Sequence, residues 1–263
     1  DYMLATHRGH GQAIGKGVNI KDMMAEILGR ATGTNHGKGG SMHICDFDNG
    51  ILGANGIVGA NGPIACGAAL TIKMKKIPDR VTAAFFGDGA SNEGAIMESL
   101  NLAAAWKLPV LFILTNNTYG MSTPLKKVVN DTDLTKRAIP FGMKAYECDG
   151  NDVLAVYRTV SEARAYAVAG NGPCLVVEHT YRTSGHSKSD GNQYRTKEEI
   201  QYWKDHSPII RFRQYLTEQK LFTDEEIDEI QKQADVIIDE AVEYAKAQPQ
   251  PRVEDLEKDV YAD

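Results

Sequence analysis

Two apolar runs, each ending abruptly in a small polar cluster, constrain this chain more than any other feature. They lie in FFGDGASNEGAIMESLNLAAAWKLPVLFILTNNTYGMSTP, Phe85 to Pro124; the first closes on Gly87-Asp88-Gly89 and the second on Asn116-Asn117. Val81 to Phe86 and Val110 to Leu114 are continuous apolar segments of strand length, as parallel strands covered on both faces require. Between them Ala90 to Lys107 carries Ile96, Leu100, Ala103 and Ala104 at helical spacing, and Pro109 stops it. Strand, helix, strand makes a βαβ unit, which crosses over right-handed.

The alternation continues through a strand at Ala145–Asp149, a helix over Val153–Ala169 and a strand at Pro173–Tyr181. The expected fold class is therefore α/β, a mainly parallel sheet flanked by helices. Residues 1–62 are rich in Gly, His and Asn and read as ordered loops around a short helix, Ile20–Leu28; a second helix is expected over Pro63–Lys75. Thr183–Arg195 is polar and breaker-rich, which predicts a mobile surface loop. Beyond it the composition turns helical. Thr196 with Glu199, and Thr223 with Glu226, have capping-box spacing. A last helix, Asp224–Lys246, carries Ile227, Ile230, Ala234, Ile237, Ala241 and Tyr244 on one face. That face predicts packing, either as a closure of the same domain or as a separate interaction coil. The division expected is 1–195 as the α/β domain and 196–263 as a helical extension packed on it.

In open parallel sheets, ligands sit beyond the carboxyl ends of the strands. If the two apolar strands are neighbours, Asp88 and Asn117 share one crevice. A carboxylate and an amide oxygen are hard ligands suited to Mg²⁺ or Ca²⁺, with Mg²⁺ commonly keeping substrate phosphates as partners. The helix start near Ala90-Ser91 offers N–H groups to an anion. The competing reading is that Asp-Gly and Asn-Asn are turn formers; their joint placement at successive strand ends favours a metal-bridged diphosphate. A dinucleotide fingerprint is excluded because Asn92 stands where its third glycine belongs, and a P-loop because Gly39 follows Lys38 where Ser or Thr is needed.

The formal net charge is −6, so no nucleic-acid partner is expected. No apolar run reaches the roughly 18 residues of a membrane span. The four cysteines are scattered without a Cys-x-x-Cys pair, which argues against structural zinc or a disulfide framework and makes a reducing compartment, the cytoplasm, the default. The chain opens at Asp1 without a methionine and without a signal peptide, and reads as a processed or truncated piece.

The segments HRGHG, GKGGSMH, NGIVGA, GDGASNEG, NNTYGMST and GHSKSD…YRTKEEI, in this order along nearly the whole chain, resemble the alpha subunits of the first component of 2-oxo acid and acetoin dehydrogenase complexes. Gly87-Asp88-Gly89 followed by Asn116-Asn117 is similar to that family's thiamine diphosphate motif. THRGHG and GANGIVGA look most like the acetoin branch; the pyruvate branch tends to an aromatic where His7 stands. The resemblance implies thiamine diphosphate and Mg²⁺ as cofactors. Asp88, Asn117 and the Tyr119 carbonyl would ligate the metal, and Gly89 and Ala90 would meet the diphosphate through the backbone. His7, Arg8 and His186 would hold its oxygens. Gly56 and Val58 would contact the aminopyrimidine, Met121 would lie under the bent cofactor, and His10, with His186, would serve the reacting centre.

The residue types suit these roles. Arginine forks onto phosphate oxygens, histidine moves protons near neutral pH, and the cofactor carries the carbanion chemistry itself. The implied reaction is carbon–carbon cleavage of acetoin, or of pyruvate or a branched 2-oxo acid, with the acyl-level fragment passed to a lipoyl group on a second component. Two departures stand out. Thr115 occupies a position where many relatives have Glu. The glutamate that activates the aminopyrimidine has no candidate here; in the family it comes from a beta subunit, so an α₂β₂ assembly is implied, or else a non-catalytic scaffold. His7 and His10 lack a third nearby ligand for zinc; His36, His43, His179 and His206 read as packed or solvated. Ser187 follows His186, and nothing in the chain marks it as a kinase target.

Overall fold

The computed structural model describes residues 1–258 and 260. Its centre is a six-stranded sheet: β1 (Tyr2–Thr6), β2 (Ile51–Asn55), β3 (Thr82–Gly87) and β4 (Val110–Asn116), then, after a two-stranded hairpin of β5 (Tyr119–Gly120) and β6 (Thr123–Pro124), β7 (Lys144–Asp149) and β8 (Cys174–His179). The order across the sheet is β2-β1-β3-β4-β8-β7. β1 with β3, β3 with β4, β4 with β8, and β7 with β8 all pair parallel. The helices are α1 (His10–Lys16), α2 (Ile20–Ile27), α3 (Asn61–Met74), α4 (Gly94–Ala105), α5 (Val153–Val168), α6 (Lys197–Asp205), α7 (Pro208–Glu218) and α8 (Asp224–Ala247).

The central strands are the most apolar ones, as burial on both faces demands. Val110–Leu114 of β4 and Cys174–Val177 of β8 are fully or almost fully buried. Leu111, Ile113, Cys174 and Val176 form a core with Ala163 and Ala167 of α5, whose small side chains let the helix approach. α5 starts where Asp152 accepts from the Leu154 and Ala155 N–H groups at 2.9 and 3.1 Å, and α2 starts on Asn19 in the same way. Such caps satisfy donors that the first helical turn leaves open.

The chain divides into two compact units: Asp1–Leu4 with Ile57–Asp224, and Ala5–Gly56 with Glu225–Asp263. α6 and α7 fall in the first unit. There Tyr181 and Tyr119 donate to Glu199 of α6 at 2.8 and 2.9 Å, and Arg211 of α7 pairs with Asp149 at 2.7 Å. α8 falls in the second, where Lys21 of α2 lies 3.7 Å from Glu240.

Several expectations shift. β1, β2 and α1 lie within the stretch expected to be loop. The helix expected from Ala90 begins at Gly94, after a single 3-10 turn at Ala90–Asn92, because Glu93 is extended (ψ 135°). Thr196 caps Glu199 N–H at 3.1 Å, but the reciprocal half of the capping box is diverted, since the Glu199 carboxylate takes the two tyrosine hydroxyls. The apolar face of α8 is buried only at Ala241 and Ala245, while Ile230 and Ile237 are about half exposed. The loop Thr183–Arg195 has no regular secondary structure, as expected, and carries the hydrogen bonds of Arg182 and Arg195 described below.

Candidate active site

β3 and β4 are adjacent and in register, Gly87 opposite Thr115. The residues that follow, Asp88 and Asn117, therefore meet at one rim of the sheet. The Asp88 carboxylate lies near the backbone N–H groups of Asn117 and Gly89. Asp88 is 2% exposed, and its Oδ2 has no hydrogen-bond partner. Burial raises its pKa; those N–H groups and the Arg182 charge offset part of the rise. A buried carboxylate oxygen with no donor is costly unless something cationic completes it.

The groups around it are oxygen donors. Asn117 Oδ1 accepts only a 3.3 Å bond from Tyr119 N–H, and the Tyr119 carbonyl accepts a long 3.4 Å bond from Arg182, so each oxygen keeps capacity for another partner. Thr118 and Met121 hold φ of 68° and 53°, turning the chain sharply on either side of Tyr119. The loops after β3 and β4 touch through glycines: a Cβ on Gly89 would lie 3.2 Å from Gly120 Cα, so side chains there would push the rim apart. Ser91 closes the 3-10 turn by donating to Asp88 C=O at 2.6 Å. Carboxylate, amide and carbonyl oxygens in this arrangement fit a hard divalent cation.

Arg182 ties this rim to the loop that carries His186. Its Nη2 donates to the Met121 carbonyl at 2.7 Å and to Tyr194 OH at 2.8 Å, and Nε reaches Ser184 C=O at 3.3 Å. Tyr194 OH and His186 N–H both donate to Asp190 Oδ2 at 2.7 Å. Together with the Asn192 N–H, these bonds hold the Asp190 carboxyl down at about 2. Met121 and His186 line one open cleft of about 320 Å³ with Ser187, Asp190 and Tyr194. Behind it the Arg195 guanidinium, 7% exposed, lies 5.2–5.7 Å from the ring centres of Tyr119, Tyr181 and Tyr194. Arg182, Asp190, Tyr194 and Arg195 were not singled out from sequence; the one signal, for the last three, was their place in the GHSKSD…YRT motif, which Arg182 precedes.

Val58, 52% exposed, follows β2 in the same unit as Asp88. His7, Arg8, His10 and Gly56 belong to the other unit. In that unit His10 Nε2 lies 2.8 Å from Ser41 C=O. A Cβ on Gly56 would lie 3.3 Å from the His43 ring, so only glycine leaves its backbone open on that side. Among the described residues, no group of three or more His, Cys, Asp or Glu side chains could hold a metal.

One strand nearer the β7 edge, Glu178 of β8 pairs in register with Thr115 of β4 and Cys148 of β7. Burial lifts its carboxyl to about 7, with the neighbouring Thr115 side chain opposing the rise. An acid whose pKa is raised on folding keeps its proton in the native state after the unfolded chain has lost it. Stability therefore falls as pH rises from about 4.5 through about 7. Glu178→Gln, which keeps an acceptor for Thr115, should match the wild type in denaturant titrations at pH 4. At pH 8 it should exceed it by up to about 3 kcal/mol. Equal stability at both pH values would show that Glu178 is ionised at little cost.

The arrangement defines an α/β protein with a carboxylate–amide crevice at the ends of two parallel strands, suited to a hard cation and an anionic ligand. The dehydrogenase E1 component family model matches residues 1–254. The alpha subunit of acetoin:2,6-dichlorophenolindophenol oxidoreductase from Bacillus subtilis is 44% identical over 263 residues, covering 99% of this chain and 78% of the relative. The subunit of the same name from Cupriavidus necator is 42% identical, covering 99% and 78%. The alpha subunit of the pyruvate dehydrogenase E1 component from Porphyra purpurea is 35% identical, covering 100% and 78%. The chain belongs to the dehydrogenase E1 component family, whose alpha subunits are thiamine diphosphate-dependent oxidoreductases. No described helix is long and apolar enough to cross a membrane.

Proposed function

We propose that this chain is the alpha subunit of an acetoin dehydrogenase, working with a beta subunit in an α₂β₂ assembly. The observation that carries the cofactor reading is the partnerless, buried Asp88 Oδ2 beside Asn117. What favours acetoin is the higher identity to the two acetoin relatives, 44% and 42%, against 35–38% to pyruvate dehydrogenase alpha subunits. His7, where the pyruvate branch tends to have an aromatic, points the same way.

In this reading Asp88, Asn117 and the Tyr119 carbonyl hold Mg²⁺. Gly89 and Ala90 give backbone contact to the diphosphate, and His7, Arg8 and His186 neutralise its oxygens. Gly56 and Val58 receive the aminopyrimidine, and Met121 supports the ring system. When bound, thiamine diphosphate supplies the nucleophilic carbon and the electron sink for carbon–carbon cleavage. His10 and His186 hold or move protons beside the carbonyl substrate. Acetaldehyde would leave as the other product of acetoin cleavage, and the two-carbon fragment would reach the acetyl level by reducing the disulfide of a lipoyl group on a second component, which would carry it away. Residues 1–195 carry the cofactor site and 196–263 form the helical extension. The compartment proposed is the cytoplasm, where the four free cysteines would stay reduced.

The test is to assemble the chain with a beta subunit and follow dye reduction. Acetoin should be turned over at least about tenfold faster than pyruvate or branched 2-oxo acids at equal concentration, a preference of more than about 1.4 kcal/mol. Turnover of pyruvate alone would replace acetoin by the decarboxylating alternative. Full turnover by an Asp88→Ala assembly would favour a scaffold role.

A further inference from the structure

The glycine-rich segment that follows α2 is organised by one buried acid. Glu26, fully buried, lies near the end of α2, and its carboxylate accepts four backbone N–H groups. Oε2 takes those of Asn35 and Gly37 at 2.7 and 2.9 Å; Oε1 takes those of Gly39 and Gly40 at 2.8 and 2.9 Å. Two oxygens with four lone-pair directions are thereby filled, so the charge needs no cationic partner. The loop is closed again at its far end, where the Asn35 side chain donates to the His43 carbonyl.

Directly after Gly40, the Ser41 carbonyl receives His10 Nε2 at 2.8 Å. A carbonyl oxygen can only accept, so Nε2 carries the hydrogen, and in the neutral ring Nδ1 is left as the acceptor. Two residues further on, the His43 ring packs against Gly56. One carboxylate therefore fixes the loop that sets the tautomer of His10 and forms the wall beside Gly56.

We infer that Glu26 is a positioning residue for the reaction. It acts through the Asn35–Ser41 loop to hold His10 with Nε2–H turned to protein and Nδ1 as the working nitrogen. This rests on His10 serving the reaction, as proposed above. Glu26→Gln tests it because an amide can accept on one side only. The other side would set an NH₂ group against two N–H donors and release half of the loop.

The experiment uses the α–β assembly loaded with thiamine diphosphate and Mg²⁺ and carrying ¹⁵N-histidine. Long-range ¹H–¹⁵N correlation should show His10 as the Nε2–H tautomer in the wild type and as a tautomer mixture in Glu26→Gln. The kcat for acetoin should fall about tenfold or more in that variant, with cofactor affinity changed less than about threefold. An Nδ1–H tautomer in the wild type would overturn the inference, and so would a folded Glu26→Gln assembly with wild-type tautomer and kcat. If Glu26→Gln does not assemble, the wild-type tautomer still decides. Full kcat in His10→Asn would instead remove the proton role of His10 itself, and with it the catalytic part of the inference, while leaving the tautomer assignment standing.

Discussion

Asp88→Asn is expected to weaken thiamine diphosphate binding in the presence of Mg²⁺ by about 100- to 1,000-fold, the range that follows from removing one charge of a buried pair. The same substitution should leave the cofactor-free protein as stable as the wild type or more stable. Asparagine keeps an oxygen for the N–H groups of Asn117 and Gly89 and abolishes a carboxylate that burial makes costly to ionise. The sign is set by linkage: Asp88 has a folded pKa above its ordinary value of 3.8, so its ionisation subtracts stability as pH rises past that value. Thermal melts with and without cofactor and metal separate the two effects. A variant that unfolds without ligand would make Asp88 a structural residue. One that keeps the full ligand-induced stabilisation would place the cation elsewhere.

Arg195→Ala carries the second large effect. The guanidinium faces three tyrosine rings and donates to the Arg182 and Ser184 carbonyls and to Asn192 Oδ1. Its loss opens a cavity among Tyr119, Tyr181 and Tyr194 and removes a donor from the Arg182 and Ser184 carbonyls and from Asn192 Oδ1, of which the Ser184 carbonyl keeps Arg182 Nε. Stability should drop by about 3 kcal/mol or more, and protease should cut within residues 183–194. Arg195→Lys keeps the charge but loses the planar fork, so it should fall between wild type and alanine. Denaturant titration and timed proteolysis measure both. An unchanged melting curve in Arg195→Ala would show that the loop is held by Arg182 and Asp190 alone.

The crossover unit was legible because its signals are local. Continuous apolar runs at β3 and β4 announce buried strands, and polar residues at their ends announce the rim. β1 and β2 were not legible: each is five residues long, and β2 is interrupted by Gly53 within a segment already dense in glycine. α7 escaped notice because Ile209 and Ile210 point to solvent, so its apolar pattern follows no single buried face. In the site, Asp88 and Asn117 could be singled out from spacing alone. The Arg182–Tyr194–Asp190 chain could not, since its members meet only once a breaker-rich loop has folded back on the rim. Glu26 is the clearest case of concealment. An acid inside a short amphipathic helix reads as a solvated face, yet it is fully buried because the loop's own backbone supplies its hydrogen bonds.

In the proposed site Asp88 and Asn117 would hold a divalent cation beside the diphosphate. Isothermal calorimetry of thiamine diphosphate into the wild-type α–β mixture, with Mg²⁺ and then with chelator, tests it most directly. Binding is predicted to saturate at one cofactor per alpha subunit with Mg²⁺ and to weaken by about 100-fold or more without it. Equal affinity with and without the cation would contradict it.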